Sequence, residues 1–150
     1  MTDGFWNAER EARVRTSFAR QGLMATLGAT LGKVAPGAVE IALKPAPAIS
    51  QQHGFVHAGA VSAIADSAAG YATLSLLPLD TAVLTTEFKI NLIAPATGER
   101  IIARGEVVKA GRTLTIAQTR VVAESGGQEK LIALLVATMM AIRGRDDLSE

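Results

Sequence analysis

The sequence predicts an α+β fold in which one long buried helix is wrapped by a curved antiparallel sheet of five strands. Two observations carry this prediction. Residues 58–77 are apolar nearly all round the helical period, which is typical of a buried helix. Four stretches of strand character follow, and strands joined by such short turns run antiparallel. The 150 residues suit one domain, 1–150, with a surface helix in residues 1–20.

The N-terminal region predicts this surface helix over residues 3–20. Asp3 can cap its start, and Glu9 and Arg13 stand four residues apart as an ion pair. Its narrow apolar stripe consists of Val14 and Phe18. We therefore expect the helix to pack on the outside of the domain.

The region before the buried helix contains one clear strand, in residues 38–45, which alternates aliphatic and polar side chains and ends at Pro45. Residues 23–37 contain several glycines and cannot be assigned from their pattern. Residues 46–50 are expected to form an extended connector. The buried helix should then begin near Ala58 and end before Pro78.

The C-terminal strands are predicted from their alternation and from the turns between them. They occupy residues 81–95, 99–110, 113–124 and 130–143. The first of them should place Leu84, Thr86, Phe88, Ile90 and Leu92 on one face. The last is apolar on both faces, which indicates a central position in the sheet or cover by another subunit.

Composition excludes several classes of function. The chain has no cysteine, which excludes disulfides, thiolate nucleophiles and cysteine metal sites. A net charge of +1 offers no electrostatic footprint for nucleic acid or an anionic membrane. The longest apolar run, residues 131–142, is shorter than the ~20 residues that span a bilayer. The polar N-terminus has no targeting pattern, so we expect a cytoplasmic protein.

Asp66 is the only Asp, Glu, Lys or Arg between Gln52 and Asp80, and it falls within the predicted helix. Burial of an unpaired carboxylate costs several kcal/mol. The acid therefore either lies at a solvent-facing edge of the helix or is kept in a cleft because its charge does chemistry.

The start of the same helix has the features of an oxyanion site. Gly54 and Gly59 permit close backbone approach, and the N–H groups near Ala58 and Gly59 can bind an oxygen anion. Nine residues separate His57 from Asp66, which places them about 180° apart around a helix and about 13 Å apart along it. In a two-fold dimer, Asp66 of one subunit could instead face the helix start of the other.

The two histidines, His53 and His57, have the i,i+4 spacing of some metal sites, but no glutamate accompanies them and Asp66 is the only further ligand in view. We expect no metal and no cofactor. His53 is predicted to fix a loop, and His57 either to do the same or to contact a ligand. A GxSxG motif is absent, so no Ser-His-Asp triad is indicated.

The segment HGFVHAGAVSAIADSAAGYA resembles the signature of hotdog-fold acyl-CoA thioesterases of the PaaI-like group. In that group an HGG stretch opens the central helix, and an acid follows nine residues after its His. The resemblance extends from LGATLGKVAPGAVEIAL through TTEFKINLIAPATGERIIARGEVVKAGRT to the last strand. It implies an acyl-CoA substrate, a central helix wrapped by a five-stranded sheet, homodimers joined sheet edge to sheet edge, and homotetramers of two such dimers.

The resemblance also implies roles for individual residues. Asp66 matches the catalytic acid, which acts as general base or as nucleophile, and the amide of Ala58, following His57, matches the oxyanion contact. Gln51 stands where relatives often have Asn, and Thr85 where they have a hydroxyl. Further substrate contacts are expected from His53, Gly59, Lys109 and Arg112, the last two toward the coenzyme A phosphates. Ala58 replaces the first glycine of HGG, which keeps the N–H but narrows the space around it.

Two other functions remain compatible with the sequence. The same fold could carry a hydratase or dehydratase that acts on an enoyl or hydroxyacyl thioester. The chain could also be a non-catalytic acyl-CoA-binding module in which Asp66 is only structural.

Overall fold

The computed structural model describes residues 6–148, in which two N-terminal helices precede a hairpin, a long helix and four more strands. The helices are α1 (Ala8–Ala19), α2 (Gly22–Leu27) and α3 (Ala58–Leu74). The strands are β1 (Thr30–Ala35), β2 (Ala38–Leu43), β3 (Thr81–Leu92), β4 (Arg100–Lys109), β5 (Leu114–Ser125) and β6 (Gln128–Arg143). No helix in this part of the chain is both long and apolar enough to cross a membrane.

The strands form one antiparallel sheet in the order β1-β2-β4-β5-β6-β3, which wraps α3 as the hotdog resemblance implies. The sheet has six strands, so the prediction of five is wrong by one. The missed strand, β1, lies at a sheet edge and loses regular register between Leu31 and Val34, which weakens its alternation in the sequence. Gly37, at φ 70°, closes the Pro36–Gly37 turn into β2.

The small side chains of α3 let the sheet approach its backbone closely. Ala65, Ala68 and Ala72 are fully buried against the sheet. Gly105 of β4 lies over Ala68, and a Cβ at position 105 would come within 2.4 Å of the Ala68 carbonyl group. This crossing of helix and strand therefore requires glycine.

The long helix ends at Leu74, earlier than the predicted end at residue 77. The Ser75 hydroxyl donates a 2.6 Å hydrogen bond to the Ala72 carbonyl oxygen, which is the kind of local bond that competes with the helix ladder. The next amides, of Leu76 and Leu77, bond to carbonyls three residues back, which tightens the chain out of the α-helix.

The register of β3 differs from the predicted alternation. A β-bulge between Thr85 and Glu87 inserts one extra residue opposite β6. Before the bulge Thr85 pairs with buried Met139, and after it Phe88 pairs with buried Ala137, so both face α3. Leu84 pairs with Met140 on the opposite face, contrary to its predicted position.

Helix α1 begins at Ala8, and the Asn7 side chain caps it by accepting from the Arg10 amide. The predicted cap, Asp3, lies outside the described residues. Val14 is buried, and the Phe18 ring packs edge-on against Tyr71 of α3 at a centroid distance of 6.0 Å, so the predicted apolar stripe is confirmed.

The ion pair predicted for Glu9 and Arg13 is replaced by one between Glu11 and Arg15 at 2.8 Å. The Arg13 guanidinium instead donates to the carbonyl oxygens of Leu77, Pro78 and Thr81. These bonds fix α1 to the segment that joins α3 to β3.

Candidate active site

The carboxylate of Asp66 lies half-buried on α3, where the edge strand β3 passes. The Thr85 hydroxyl donates a 2.8 Å hydrogen bond to Asp66 Oδ1. Burial raises the pKa of Asp66 above its ordinary value, and the bond from Thr85 opposes part of that rise. The site thus holds a carboxylate whose proton affinity is increased, as suits a general base.

The sheet beneath Asp66 fixes both ends of this hydrogen bond. Thr85, Met139 and Thr115 are neighbours across three strands on the face that packs against α3. Four residues after Thr115 in β5, the buried Thr119 hydroxyl donates a 2.8 Å hydrogen bond to the Ala65 carbonyl oxygen. The helix is therefore tied to β5 at the residue directly before Asp66.

A cleft of about 270 Å³ opens beside Asp66, and one of its walls comes from the N-terminal helices. Its lining residues are Ser17, Arg20, Gln21, Asp66, Ser67, Gly70, Tyr71, Val83, Thr85 and Met139. Sequence reasoning missed Ser17, Arg20 and Gln21. Nothing in the local pattern of residues 17–21 marks them, because their place in the cleft depends on how α1 packs across α3.

The start of α3 is capped by His57, whose Nδ1 accepts a 2.8 Å hydrogen bond from the Gly59 amide. A Cβ at Gly59 would lie 3.0 Å from that nitrogen, so the glycine leaves room for the ring. The Gly59 N–H is thus engaged in the unbound chain. Among the backbone groups of residues 6–148 the Ala58 N–H has no acceptor, because the first amide of a helix has no carbonyl oxygen within the helix to bond to.

The loop before α3 is a tight turn closed by a bond from the Gln51 amide to the Phe55 carbonyl oxygen at 2.8 Å. Gly54 adopts φ 84° within it. The Gln51 side-chain oxygen accepts from the His53 amide, so Gln51 fixes the turn. His53 is exposed at the tip of this turn and does not line the Asp66 cleft.

A second cleft, of about 440 Å³, lies at the start of α3. Gln51, His57 and Ala58 line it together with the apolar residues Phe55, Val56, Val61, Leu92, Ile93, Ala94, Pro95, Ala96 and Ile132. It shares no lining residue with the Asp66 cleft. The structure therefore brings Asp66 and Thr85 together, and brings Gln51, His57 and Ala58 together, but it keeps the two groups apart in one chain.

The two basic residues, Lys109 and Arg112, lie at the β4–β5 turn, where both are exposed and line neither cleft. Arg112 precedes Thr115 by three residues, about 10 Å along a strand. Thr115 belongs to the row of residues beneath Asp66. Both cations are thus at the Asp66 end of the sheet.

The histidines do not assemble a metal site with their neighbours. Among residues 6–148, no group of three or more His, Cys, Asp or Glu side chains is placed to hold a metal ion. His53 is exposed in its turn, and Nδ1 of His57 is occupied by the helix cap.

The sequence model of the Thioesterase superfamily matches residues 53–130. Among solved structures, the chain is similar to a thioesterase family protein from Silicibacter pomeroyi, with 52% identity and a TM-score of 0.88 over 90% of this chain and 99% of that one. It is also similar in fold to PaaI of the phenylacetic acid degradation operon of E. coli, with 18% identity and a TM-score of 0.81 over 90% and 94% of the two chains. A Halobacterium salinarum protein that is named as an esterase is 27% identical over 79% of this chain and 82% of its own.

Proposed function

The chain belongs to the thioesterase superfamily, and we propose that it hydrolyses acyl-CoA thioesters at sites shared between two subunits. One observation carries the proposal. Asp66 is a half-buried carboxylate that Thr85 holds at the wall of an open cleft, and its pKa is raised by burial. Partial burial of this carboxylate is costly, and a catalytic role gives a reason for its presence at this position.

In the proposed reaction the ionised Asp66 takes a proton from a water that attacks the thioester carbonyl, or attacks that carbonyl itself. The amide of Ala58 donates to the developing oxyanion, and Gln51 lies in the same cleft to position the water or carbonyl. The carbon–sulfur bond then breaks; where Asp66 itself has attacked, this leaves the acyl group on its carboxylate as an anhydride, which water hydrolyses to the free acid and Asp66. The products are the free acid and coenzyme A, which leaves as thiolate and takes up a proton.

A dimer through β3 accounts for the separation of the two groups. β3 forms one edge of the sheet, and it runs from Thr85 at Asp66 to Leu92 at the cleft of the helix start. Antiparallel pairing of two β3 strands about a two-fold axis near Phe88 would bring the Thr85 end of one subunit to the Leu92 end of the other. Each site would then combine Asp66 of one chain with Ala58 of its partner.

The exposure of β3 supports this pairing. Phe88 and Leu92 face the helix side of the sheet, yet 45% and 55% of their surfaces remain exposed in the single chain. A second subunit at this edge would cover both. Further large apolar side chains are exposed on the opposite face of the sheet, at Leu84, Leu114, Leu134 and Val136. We assign that face to the contact between two dimers in a homotetramer.

Coenzyme A is the proposed thiol because Lys109 and Arg112 are exposed cations at the Asp66 end of the sheet. The phosphates of a thiol bound in the cleft could interact with these two cations at its opening. Loss of affinity for acyl-CoA, but not for the matching acyl-pantetheine, in a Lys109→Ala and Arg112→Ala double variant would support this placement.

The function is tested by thiol release from a panel of acyl-CoAs with two complementary variants. Asp66→Asn removes the base. Ala58→Pro removes the proposed oxyanion N–H at the first helical position, which accepts proline, and His57 already has the extended backbone that a residue before proline needs. Ala58→Ser, which keeps the N–H, is the matched control.

Each variant alone should be inactive as a homodimer. A mixed dimer of Asp66→Asn with Ala58→Pro keeps one complete site out of two and should recover about half of the wild-type activity. No recovery in the purified mixed dimer would overturn the shared site. Loss of enoyl absorbance without thiol release would overturn hydrolysis in favour of hydration.

A further inference from the structure

The cleft at Asp66 continues away from the reacting carboxylate along α3. Gly70 lies one helical turn beyond Asp66, about 6 Å along the axis. Tyr71 and Ser67 line the same stretch, and Gln21 closes it from the junction between α1 and α2. A group attached to a carbonyl at Asp66 would therefore extend over Gly70 toward Gln21.

Gly70 has no packing role in the structure. A Cβ built at position 70 meets no atom within 4 Å, whereas one at Gly105 would collide with the helix backbone. Glycine inside a helix is destabilising relative to alanine by about 0.5–1 kcal/mol. The missing side chain instead leaves open space in the middle of the cleft.

The far end of the cleft is polar, and its side chains are hydrogen-bonded to one another. The Gln21 amide Nε2 donates a 2.8 Å hydrogen bond to the Tyr71 hydroxyl, and Gln21 Oε1 accepts from Ser67 at 3.3 Å. The Tyr71 hydroxyl also lies 3.2 Å from the Ser17 hydroxyl. Gln21 occupies the N-cap position of α2 without capping it, so its side chain is committed to this cluster.

This end offers hydrogen-bond donors to a ligand. An amide nitrogen carries two hydrogens, and Tyr71 accepts one of the two on Gln21. Arg20, next in the cleft wall, adds a guanidinium. A purely alkyl acyl end placed here would cover the second amide hydrogen of Gln21 without pairing it, which is costly.

We propose that the Asp66 cleft is an acyl subsite for thioesters whose acyl chain passes over Gly70 and ends in an acceptor oxygen, which Gln21 and Arg20 bind. The oxygen is that of a terminal hydroxyl or carboxylate. This inference rests on the proposed function for the placement of the thioester at Asp66.

The first test measures binding, so that it does not depend on turnover. The probes are the non-hydrolysable thioether analogues of hexanoyl-CoA, 6-hydroxyhexanoyl-CoA and adipoyl-CoA, titrated by calorimetry into the full-length protein. At least one oxygen-terminated analogue should bind about tenfold more tightly than the hexanoyl analogue. The isosteric variant Gln21→Met should abolish that preference, while Gln128→Met, a matched change at the distant start of β6, should preserve it.

Comparison of the two oxygenated probes distinguishes the terminal groups. A preference for the adipoyl analogue that Arg20→Gln removes identifies a carboxylate, and a preference for the hydroxyl analogue that Arg20→Gln leaves intact identifies a hydroxyl. Equal or tighter binding of the hexanoyl analogue, or no binding of any analogue, overturns the inference.

The second test measures the path over Gly70. Gly70→Leu should fill the cleft and reduce kcat/KM for six-carbon acyl-CoAs by about tenfold or more, with acetyl-CoA hydrolysis much less affected. Equal losses for short and long acyl groups would overturn the path. Absence of hydrolysis with every acyl-CoA, together with the expected binding preference, would instead overturn the proposed function and leave the subsite standing.

Discussion

The hydroxyl of Thr85 donates a 2.8 Å hydrogen bond to Oδ1 of Asp66, so an edge strand holds the one carboxylate of the central helix in a fixed position. The bond favours the ionised form of the acid, and burial favours the protonated form. Burial is the larger effect. The ionisation of Asp66 is therefore set by two contacts that mutation can separate.

Replacement of Asp66 by asparagine should remove activity and increase stability at neutral pH. General-base catalysis is worth about 10²–10⁴-fold in rate, and a loss of that size in thiol release is expected. A raised pKa in the folded state means that ionisation destabilises the fold as pH increases from the ordinary carboxyl value through the raised one. Asparagine does not ionise, so it avoids this loss of stability, and its side-chain oxygen can still accept the hydrogen bond from Thr85.

Urea denaturation checks this second effect. The difference in free energy of unfolding between Asp66→Asn and the wild-type protein should grow over that pH interval and be largest at neutral pH. A variant that folds as well as the wild-type protein and keeps its turnover would contradict the role given to Asp66.

The acid limb of the pH–rate profile should lie above the ordinary carboxyl pKa of 3.8, because activity requires ionised Asp66. Thr85→Val removes the bond that lowers this pKa, so the limb should move to still higher pH. Thr86→Val is the matched control, since the Thr86 hydroxyl bonds to the Thr138 carbonyl oxygen instead. Equal shifts in kcat/KM profiles of the two variants would be inconsistent with the assignment.

Alanine at two glycines should have opposite effects on stability. Gly105→Ala places a Cβ within 2.4 Å of the Ala68 carbonyl group, and such overpacking typically costs about 1–3 kcal/mol. Gly70→Ala meets open space in α3 and should stabilise by about 0.5–1 kcal/mol. Thermal denaturation of both variants measures the contrast. Destabilisation by both would show that Gly70 has a packing role.

Arg13 should contribute to both stability and activity, because its guanidinium binds the carbonyl oxygens that hold α1 beside the cleft. Arg13→Met should lower the free energy of unfolding by about 1.5–3 kcal/mol, the range for hydrogen bonds of charged groups. Arg15→Met breaks only an exposed ion pair with Glu11 and should cost less than about 1 kcal/mol.

Steady-state kinetics complete the test of α1. If α1 is held less firmly beside the cleft, KM for long acyl-CoAs should increase in Arg13→Met but not in Arg15→Met. Wild-type KM values in Arg13→Met would show that α1 does not shape the cleft.

The sequence was most informative where local pattern and tertiary structure agree. The apolar run around Asp66 predicted the buried helix and its one acid, and nine residues of helical geometry predicted that Asp66 and the helix start lie apart. The turns at Gly98, Gly111 and Gly126 follow from their residue types alone.

The remaining features depend on contacts distant in sequence. β1 is an irregular edge strand whose alternation is weak, so only its pairing with β2 reveals it. Arg13 was predicted to pair with a neighbour on its own helix, but it donates to carbonyl oxygens more than sixty residues away. The place of Gln21 in the Asp66 cleft likewise depends on the angle between α1 and α3, which no local pattern encodes.

The extra residue of the β-bulge lets the two ends of β3 serve two different functions. Without the bulge, Thr85 and Phe88 would point to opposite faces, and either the carboxylate would lose its hydroxyl or the partner subunit would meet a polar surface. With it, the same strand presents a hydroxyl to Asp66 at one end and an apolar surface to a second subunit at the other. Deletion of Thr86 would leave Thr85 and Phe88 two positions apart in a regular strand, so both ends should keep their orientation and both assembly and chemistry should survive.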